Sequence, residues 1–139
     1  MTNTYKLPLP NVQPEWDIYW EKAKAHELWT MRCNDCNQAY FYPRAICPNC
    51  FSRNTEWFKT SGKGVVHAFA IVHRGPTPPF RDTVPYVAVM VEMDDGFRIP
   101  SNLVEVEMEP TAIKVGMPVE VVFEDVTDTI TLPKFKPAS

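Results

Sequence analysis

Apolar and polar residues alternate along the chain from Ser61 onward, which is the pattern of strands with one buried face. The alternation predicts five strands, at residues 64–73, 86–93, 97–101, 119–124 and 129–135. Asp94, Asp95 and Gly96 form a turn signal that joins the second and third strands as a hairpin. Five strands with no long helix among them favour a small closed barrel of the OB type, and an open sandwich is the alternative.

A helical pattern precedes these strands. Pro14 suits the first turn of a helix, and four residues then recur at helical spacing, namely Trp16, Tyr19, Trp20 and Ala23. We expect the helix to end near Glu27. The first 13 residues are polar and interrupted by prolines, so we expect them to form an extended arm.

The four cysteines of the protein lie between the helix and the predicted barrel, in two CxxC pairs separated by ten residues: Cys33, Cys36, Cys47 and Cys50. Two facing CxxC turns place four sulfurs around one tetrahedral ion, which predicts a ribbon with structural zinc. A rubredoxin-like iron site has the same four-sulfur geometry and is an open alternative. Two disulfides would need an oxidising compartment, and residues 1–10 lack the apolar segment of a secretory signal.

Three short strands are expected around the cysteines, at residues 28–32, 38–43 and 55–59, with Tyr40, Phe41 and Tyr42 covering the metal. The fold class is therefore mainly β, with an N-terminal helix, a four-cysteine zinc ribbon and a five-stranded OB-type barrel. We expect these three parts to occupy residues 1–30, 31–60 and 61–139.

The aromatic residues of the helix have two interpretations. A stripe such as Trp16, Tyr19 and Trp20 most often packs on its own domain. A zinc ribbon, however, has little core to receive two tryptophans, and exposed aromatic patches mark interfaces. A stripe that faces a partner protein is therefore the second interpretation.

The charge of the chain is uneven. The net charge is -3, yet residues 31–59 carry four basic against two acidic residues, and residues 64–139 carry six against eleven. An acidic barrel argues against strong binding of nucleic acid. No apolar run approaches the ~20 residues that cross a bilayer, so we expect a cytoplasmic protein without a membrane partner.

A long loop of residues 74–85 contains four prolines between the first two barrel strands. Such loops often serve binding, and Phe80 and Arg81 at its middle are candidates for contact with a ligand or partner. A solvated loop without a role is an equal alternative. No secondary structure is expected in it.

Catalytic signatures are not found in the sequence. With every cysteine assigned to the metal, no thiol remains as a nucleophile, and there is no GxSxG, GxxxxGK or GxGxxG motif. The four-sulfur site is also coordinatively closed, so it offers no position for a metal-bound water. We expect a chain that is not an enzyme by itself.

The order of these parts resembles a known family. The motifs are the Trp16…Tyr19-Trp20 helix before the ribbon, then GVV at 64–66, PYVA at 85–88, GMPVEV at 116–121 and LPKF at 132–135. The chain resembles the acyl-CoA-associated OB-fold proteins with a rubredoxin-like zinc ribbon, long catalogued as a domain of unknown function. The acidic run at residues 102–109 departs from the neutral turn expected there.

The resemblance implies an accessory subunit of a thiolase-like complex that makes or breaks carbon–carbon bonds in acyl-CoA. Such partners include thiolases of aromatic degradation, for example benzoylsuccinyl-CoA thiolase, and steroid side-chain aldolases. On this hypothesis the basic residues of the ribbon meet the CoA phosphates, and they are Arg44, Arg53, Lys59 and Lys63. The alternatives are a solvated basic face, a stand-alone module that binds single-stranded nucleic acid, and a purely structural stabiliser of a partner.

Overall fold

The computed structural model describes residues 7–138, so residues 1–6 of the predicted arm lie outside the described residues. A 3-10 turn at Pro14–Trp16 leads directly into helix α1, Asp17–Lys24. Eight strands follow: β1 Trp29–Cys33, β2 Ala39–Tyr40, β3 Thr55–Lys59, β4 Lys63–Val72, β5 Tyr86–Met93, β6 Arg98–Leu103, β7 Pro118–Asp125 and β8 Thr131–Pro137. Among the described residues, no helix is long and apolar enough to span a membrane.

The first three strands form a small antiparallel sheet in the order β2-β1-β3. In this sheet Met31 lies opposite both Tyr40 and Trp57, and Cys33 lies opposite Thr55. The central strand β1 therefore ends at the first cysteine, and its two neighbours lead away from the cysteine turns. This register brings both CxxC segments to the same end of the sheet.

The other five strands close into a barrel in the order β4-β5-β6-β8-β7, with β7 returning to β4. Four of the strand pairs are antiparallel, three of them over six to eight positions and the β4–β7 pair over three. Strands β6 and β8 run parallel and pair at one position, Leu103 opposite Phe135. The predicted five-stranded OB-type barrel is confirmed, and the open sandwich is not adopted.

One continuous core joins the helix, the ribbon and the barrel. The fully buried barrel side chains include Val66, Val87, Val91, Leu103 and Phe135. Tyr19 of α1, Leu28 and Ala39 belong to the same cluster of buried residues. Because burial of apolar area is the main favourable term in folding, the ribbon end nearest the barrel is stabilised by the barrel.

Polar contacts fix the junction at two places. Thr60, between β3 and β4, donates both its backbone N–H and its hydroxyl to the carbonyl of Leu28, at 2.9 and 2.8 Å. His26, just after α1, lies 3.1 Å from the carboxylate of Asp125 and stacks on Phe123. The bonds of Thr60 thus tie the β3–β4 linker to the segment before β1, and the contacts of His26 attach the end of the helix to β7 of the barrel.

The helix and the second ribbon strand are shorter than the pattern predicts. Helix α1 ends at Lys24 rather than near Glu27, because His26 has a φ of 61° and its N–H donates to Ala23 in a tight turn. Strand β2 covers only Ala39–Tyr40 of the predicted residues 38–43. After it the chain leaves the sheet, and Phe41 packs on Trp16, with ring centroids 5.6 Å apart.

The long proline loop also differs from the prediction. It contains one 3-10 turn at Pro78–Phe80, with the hydrogen bond from the N–H of Arg81 to the carbonyl of Pro78. Proline favours the first positions of such a turn because its φ is already suitable and its missing N–H would have no partner there.

The core assignment leads to a stability prediction. Leu103→Ala removes a side chain that is 1% exposed at the point where β6 meets β8, and it leaves a cavity. We expect a loss of about 2–5 kcal/mol in the free energy of unfolding, measured by urea denaturation. The same substitution at Leu9, which is 38% exposed, is the control and should change stability by less than about 1 kcal/mol. Equal effects of the two substitutions would contradict the assignment of Leu103 to the core.

Candidate metal centre and neighbouring surfaces

The two cysteine turns have the same backbone geometry. In the first, the N–H of Asn37 donates to the carbonyl of Cys33, and in the second, that of Phe51 donates to the carbonyl of Cys47, each at 2.9 Å. Asn37 and Phe51 also share a left-handed conformation, with φ of 62° and 63°. The chain thus folds each CxxC segment into the same tight knuckle, which turns both sulfurs of a pair inward.

The four sulfurs converge on one point. All four Sγ atoms lie within 4.8 Å of one another, with Cys33 and Cys50 3.5 Å apart and Cys36 and Cys47 3.7 Å apart. A tetrahedral ion with zinc–sulfur bonds of about 2.3 Å requires sulfur separations of about 3.8 Å, so the donor set fits zinc. Cys33 and Cys47 are fully buried, whereas Cys50 is exposed at the outer side of the site.

The pKa values of two of these thiols shift in opposite directions. Hydrogen bonds from Asn49 and then from the backbone of Gln38 lower the pKa of Cys36 to about 6. The backbone of Ser52 favours the Cys50 thiolate, but the neighbouring thiols outweigh it and raise the pKa of Cys50 to about 12. Four thiolates at this spacing therefore require a cation among them, which a divalent ion supplies.

A hydrogen-bond network that the sequence did not reveal ties the two knuckles together. Asp35, inside the first CxxC segment, accepts from the hydroxyl of Ser52 and from the side-chain amide of Asn54, the latter at 3.1 Å. These bonds hold the pKa of Asp35 below its usual value, with Ser52 as the larger cause. The backbone N–H of Asn34 also donates to the carbonyl of Asn54 at 2.8 Å.

Of the three aromatic residues expected to cover the metal, only Tyr40 does so. Its ring is buried with Met31, Cys33 and Cys47, and its hydroxyl donates to the carbonyl of Arg44 at 2.6 Å. Phe41 joins the main core, and the ring of Tyr42 is half exposed beside Trp16 on the helix side.

The four basic candidates for CoA contact fall into two pairs. Arg44 and Arg53 flank the second knuckle, whereas Lys59 and Lys63 lie where the ribbon meets the barrel. Strand β3 lies between the two pairs, and its first and last residues, Thr55 and Lys59, are separated by about 13 Å of extended chain. Lys59 also lies 3.8 Å from Glu27, in an exposed ion pair. The four residues therefore do not form one cluster.

The aromatic stripe of the helix is divided between core and surface. Tyr19 is 5% exposed and packs in the main core, so its ring does not form part of the surface. Burial raises the pKa of its hydroxyl above the usual range. Trp16 and Trp20 pack edge-on against Tyr19, with centroids 5.3 and 4.9 Å away, and remain partly exposed.

The proline loop borders a cleft in the barrel. Phe80 lies 6.3 Å from Tyr86 between ring centroids, and both line a cleft of ≈ 300 Å³ beside the β6–β8 junction. The ion pair of Glu124 and Lys134 lies at its edge. Arg81 is exposed next to Phe80 on the same loop.

Two family models match this chain in succession. The model described as "ChsH2, rubredoxin-like zinc ribbon domain" matches residues 20–56, and that described as "ChsH2, C-terminal OB-fold domain" matches residues 57–124. The first match supports zinc as the structural metal, in agreement with the sulfur geometry.

Relatives extend the likeness to most of the chain. A "DUF35 domain-containing scaffold protein" of Methanocaldococcus jannaschii is 39% identical over 115 residues, which are 77% of this chain and 79% of that protein. A "Probable enoyl-CoA hydratase alpha subunit" of Thermomonospora curvata is 33% identical over 131 residues. The match covers 94% of this chain but only 40% of that relative.

A solved structure described as "Ltp2-ChsH2(DUF35) aldolase" superposes with a TM-score of 0.79 at 32% sequence identity. The match covers 94% of this chain and 100% of the chain in that structure. The barrel and the ribbon of that chain thus have their counterparts here in the same order.

The metal site is tested by removing one ligand. Cys50→Ser changes an exposed sulfur, so that loss of a ligand is the main effect of the substitution. We expect the zinc content, measured by plasma mass spectrometry, to fall well below about one ion per chain. Pro48→Ser, an exposed change in the same knuckle, is the control and should retain the metal. A Cys50→Ser protein that keeps its zinc through gel filtration in EDTA would contradict the four-ligand assignment.

Proposed function

Because the chain belongs to the DUF35 family, with the zinc ribbon and OB-fold domain of ChsH2, we propose that it is a non-catalytic accessory subunit of an enzyme complex that acts on acyl-CoA. One observation carries the proposal: the same two-domain unit occurs in a relative named as a hydratase alpha subunit and in an aldolase structure whose name joins two components. The chain spans less than half of the hydratase relative, so the chemistry of that whole protein is not transferred to it.

The chemistry of the described residues supports an accessory role. All four cysteines converge on the metal centre, and a four-sulfur donor set leaves no coordination position for substrate. His26 is engaged with Asp125 at the helix–barrel junction, and the sequence has no fifth cysteine that it could activate. On this proposal the bond-breaking groups belong to the partner.

We propose that the partner is a thiolase-like subunit, which would supply a reactive cysteine and its acid–base groups. This chain would bind that subunit through the partly exposed Trp16 and Trp20 of its helix and through the loop that carries Phe80 and Arg81. Aromatic and arginine side chains are enriched among the residues that contribute most to protein–protein binding, and these four are partly or fully exposed members of that class at the helix and the loop.

For CoA itself, we propose the lysine pair at the junction of ribbon and barrel. Ligands bind preferentially where two domains meet, and Lys59 and Lys63 lie there. The ion pair of Lys59 with Glu27 is exposed and therefore weak, so that on this proposal a phosphate of CoA replaces Glu27 as the partner of Lys59. Arg44 and Arg53, at the other end of β3, are the alternative pair for the same contact.

The first test is reconstitution. The tagged chain is purified from its native host, the co-purifying subunit is identified by mass spectrometry, and both are then expressed separately and mixed. We expect no thioester turnover by this chain alone, detected with a thiol reagent, and turnover by the complex. An active partner in the absence of this chain would indicate a stabilising role only, and turnover by this chain alone would contradict the proposal.

The second test concerns the CoA contact. Lys59→Ala combined with Lys63→Ala should raise the KM of the reconstituted complex for acyl-CoA about fivefold with little change in kcat, since each contact acts in ground state and transition state alike. The control is Lys114→Ala, an exposed lysine of the barrel. If the Arg44→Ala, Arg53→Ala double variant raised the KM and the lysine variant left it unchanged, the CoA contact would be assigned to the two arginines beside the second knuckle.

A further inference from the structure

Phe51 stands in a conformation that a bulky side chain disfavours. It directly follows the second cysteine of its knuckle and has a φ of 63°. The equivalent residue of the first knuckle is Asn37, with a φ of 62°. Glycine and asparagine adopt this left-handed conformation readily, whereas a phenylalanine there carries backbone strain. The knuckle geometry alone would therefore favour asparagine or glycine at both positions.

The side chain of Phe51 is also disfavoured by its exposure. It is 77% exposed, more than any other large hydrophobic side chain among the described residues, of which Val115 at 68% is the next. Packing within this chain consequently does not explain the phenylalanine. A residue that is strained in its backbone and solvated in its side chain indicates a contact outside the chain.

The surroundings of Phe51 give that contact a chemical character. Ile46, which enters the same knuckle, is 37% exposed, and exposed Arg44 and Arg53 flank the two residues along the chain. Two acidic groups that contact this segment are engaged internally: Asp35 accepts from Ser52 and Asn54, and Glu15 accepts from the N–H of Ala45 at 3.2 Å. A third, Glu56, lies on β3 opposite Arg32. We call the four residues Arg44, Ile46, Phe51 and Arg53 the ribbon tip.

We propose that the ribbon tip docks on the partner subunit, with Phe51 inserted into an apolar pocket whose rim is acidic. An acidic rim complements the two arginines, and complementary charge steers association and fixes the orientation of the contact. A buried aromatic anchor with arginines beside it has the composition of an interface hot spot. The inference rests on the proposed function, because it requires that a partner subunit exists.

The test uses Phe51→Asn, which copies the residue of the first knuckle. Removal of the backbone strain should raise the Tm of the isolated chain by about 3 °C, with the zinc retained. Loss of the anchor should weaken the Kd for the co-purified partner subunit about 30-fold, mostly through faster dissociation, measured by surface plasmon resonance. A residue with a purely structural role would not give this combination of a more stable chain and a weaker complex.

Two further variants test whether the effect is specific to Phe51 and whether the two arginines steer association. Val115→Asn removes a comparably exposed apolar side chain from the barrel and should leave the Kd unchanged. Arg44→Glu combined with Arg53→Glu should slow association about tenfold at low salt, and the difference from wild type should shrink as salt is added.

The outcomes separate the two proposals. If the wild-type chain forms no complex, the proposed function fails. If the wild type assembles and Phe51→Asn assembles equally well, or if that variant destabilises the isolated chain, only the role of Phe51 is overturned. Self-association of the wild type that Phe51→Asn abolishes, seen by sedimentation with no effect on the partner, would overturn it in favour of contact between copies of this chain.

Discussion

Four sulfur atoms that must share one cation impose the strongest constraint on this structure. Thiolates at separations of 3.5 and 3.7 Å repel one another strongly, and only a central positive charge makes their convergence favourable. The backbone of the ribbon is arranged to meet that requirement. Its two knuckles repeat the same hydrogen bonds, and the network at Asp35 fixes one knuckle relative to the other.

The metal does not act alone, because the end of the ribbon nearest the barrel packs into the barrel core. Leu28 and Ala39 lie in the same apolar cluster as Val66 and Phe135, and Thr60 bonds back to Leu28 across the linker. The far end of the ribbon depends on the ion, and the near end depends on the barrel. The two knuckles therefore project from the barrel in an orientation that is set by the packing of Leu28 and Ala39 in the barrel core.

Much of this architecture could be predicted from the sequence, since its determinants are local. The bounds of β3 and β5 agree with the pattern, and the spacing of the cysteines specified the site. The end of α1 was missed because it depends on the left-handed His26 and its contact with Asp125, a residue distant in sequence. The burial of Tyr19 and the separation of the four basic residues were likewise set by tertiary packing, which neither periodicity nor local charge expresses. The strain at Phe51 had a visible signal in the sequence, since its counterpart in the first knuckle is Asn37.

The single pairing between β6 and β8 gives the barrel a seam. Edge strands on either side of a seam can template the addition of foreign strands. Here the hydroxyl of Ser101 donates to the carbonyl of Pro133, so this carbonyl faces β6. Because the amide and carbonyl of one strand residue point to the same neighbour, the position where Pro133 lacks its N–H faces the seam as well. At this position β8 offers an acceptor but no donor to a foreign strand, so the shortest pairing of the closed barrel is a poor template for cross-β growth between molecules.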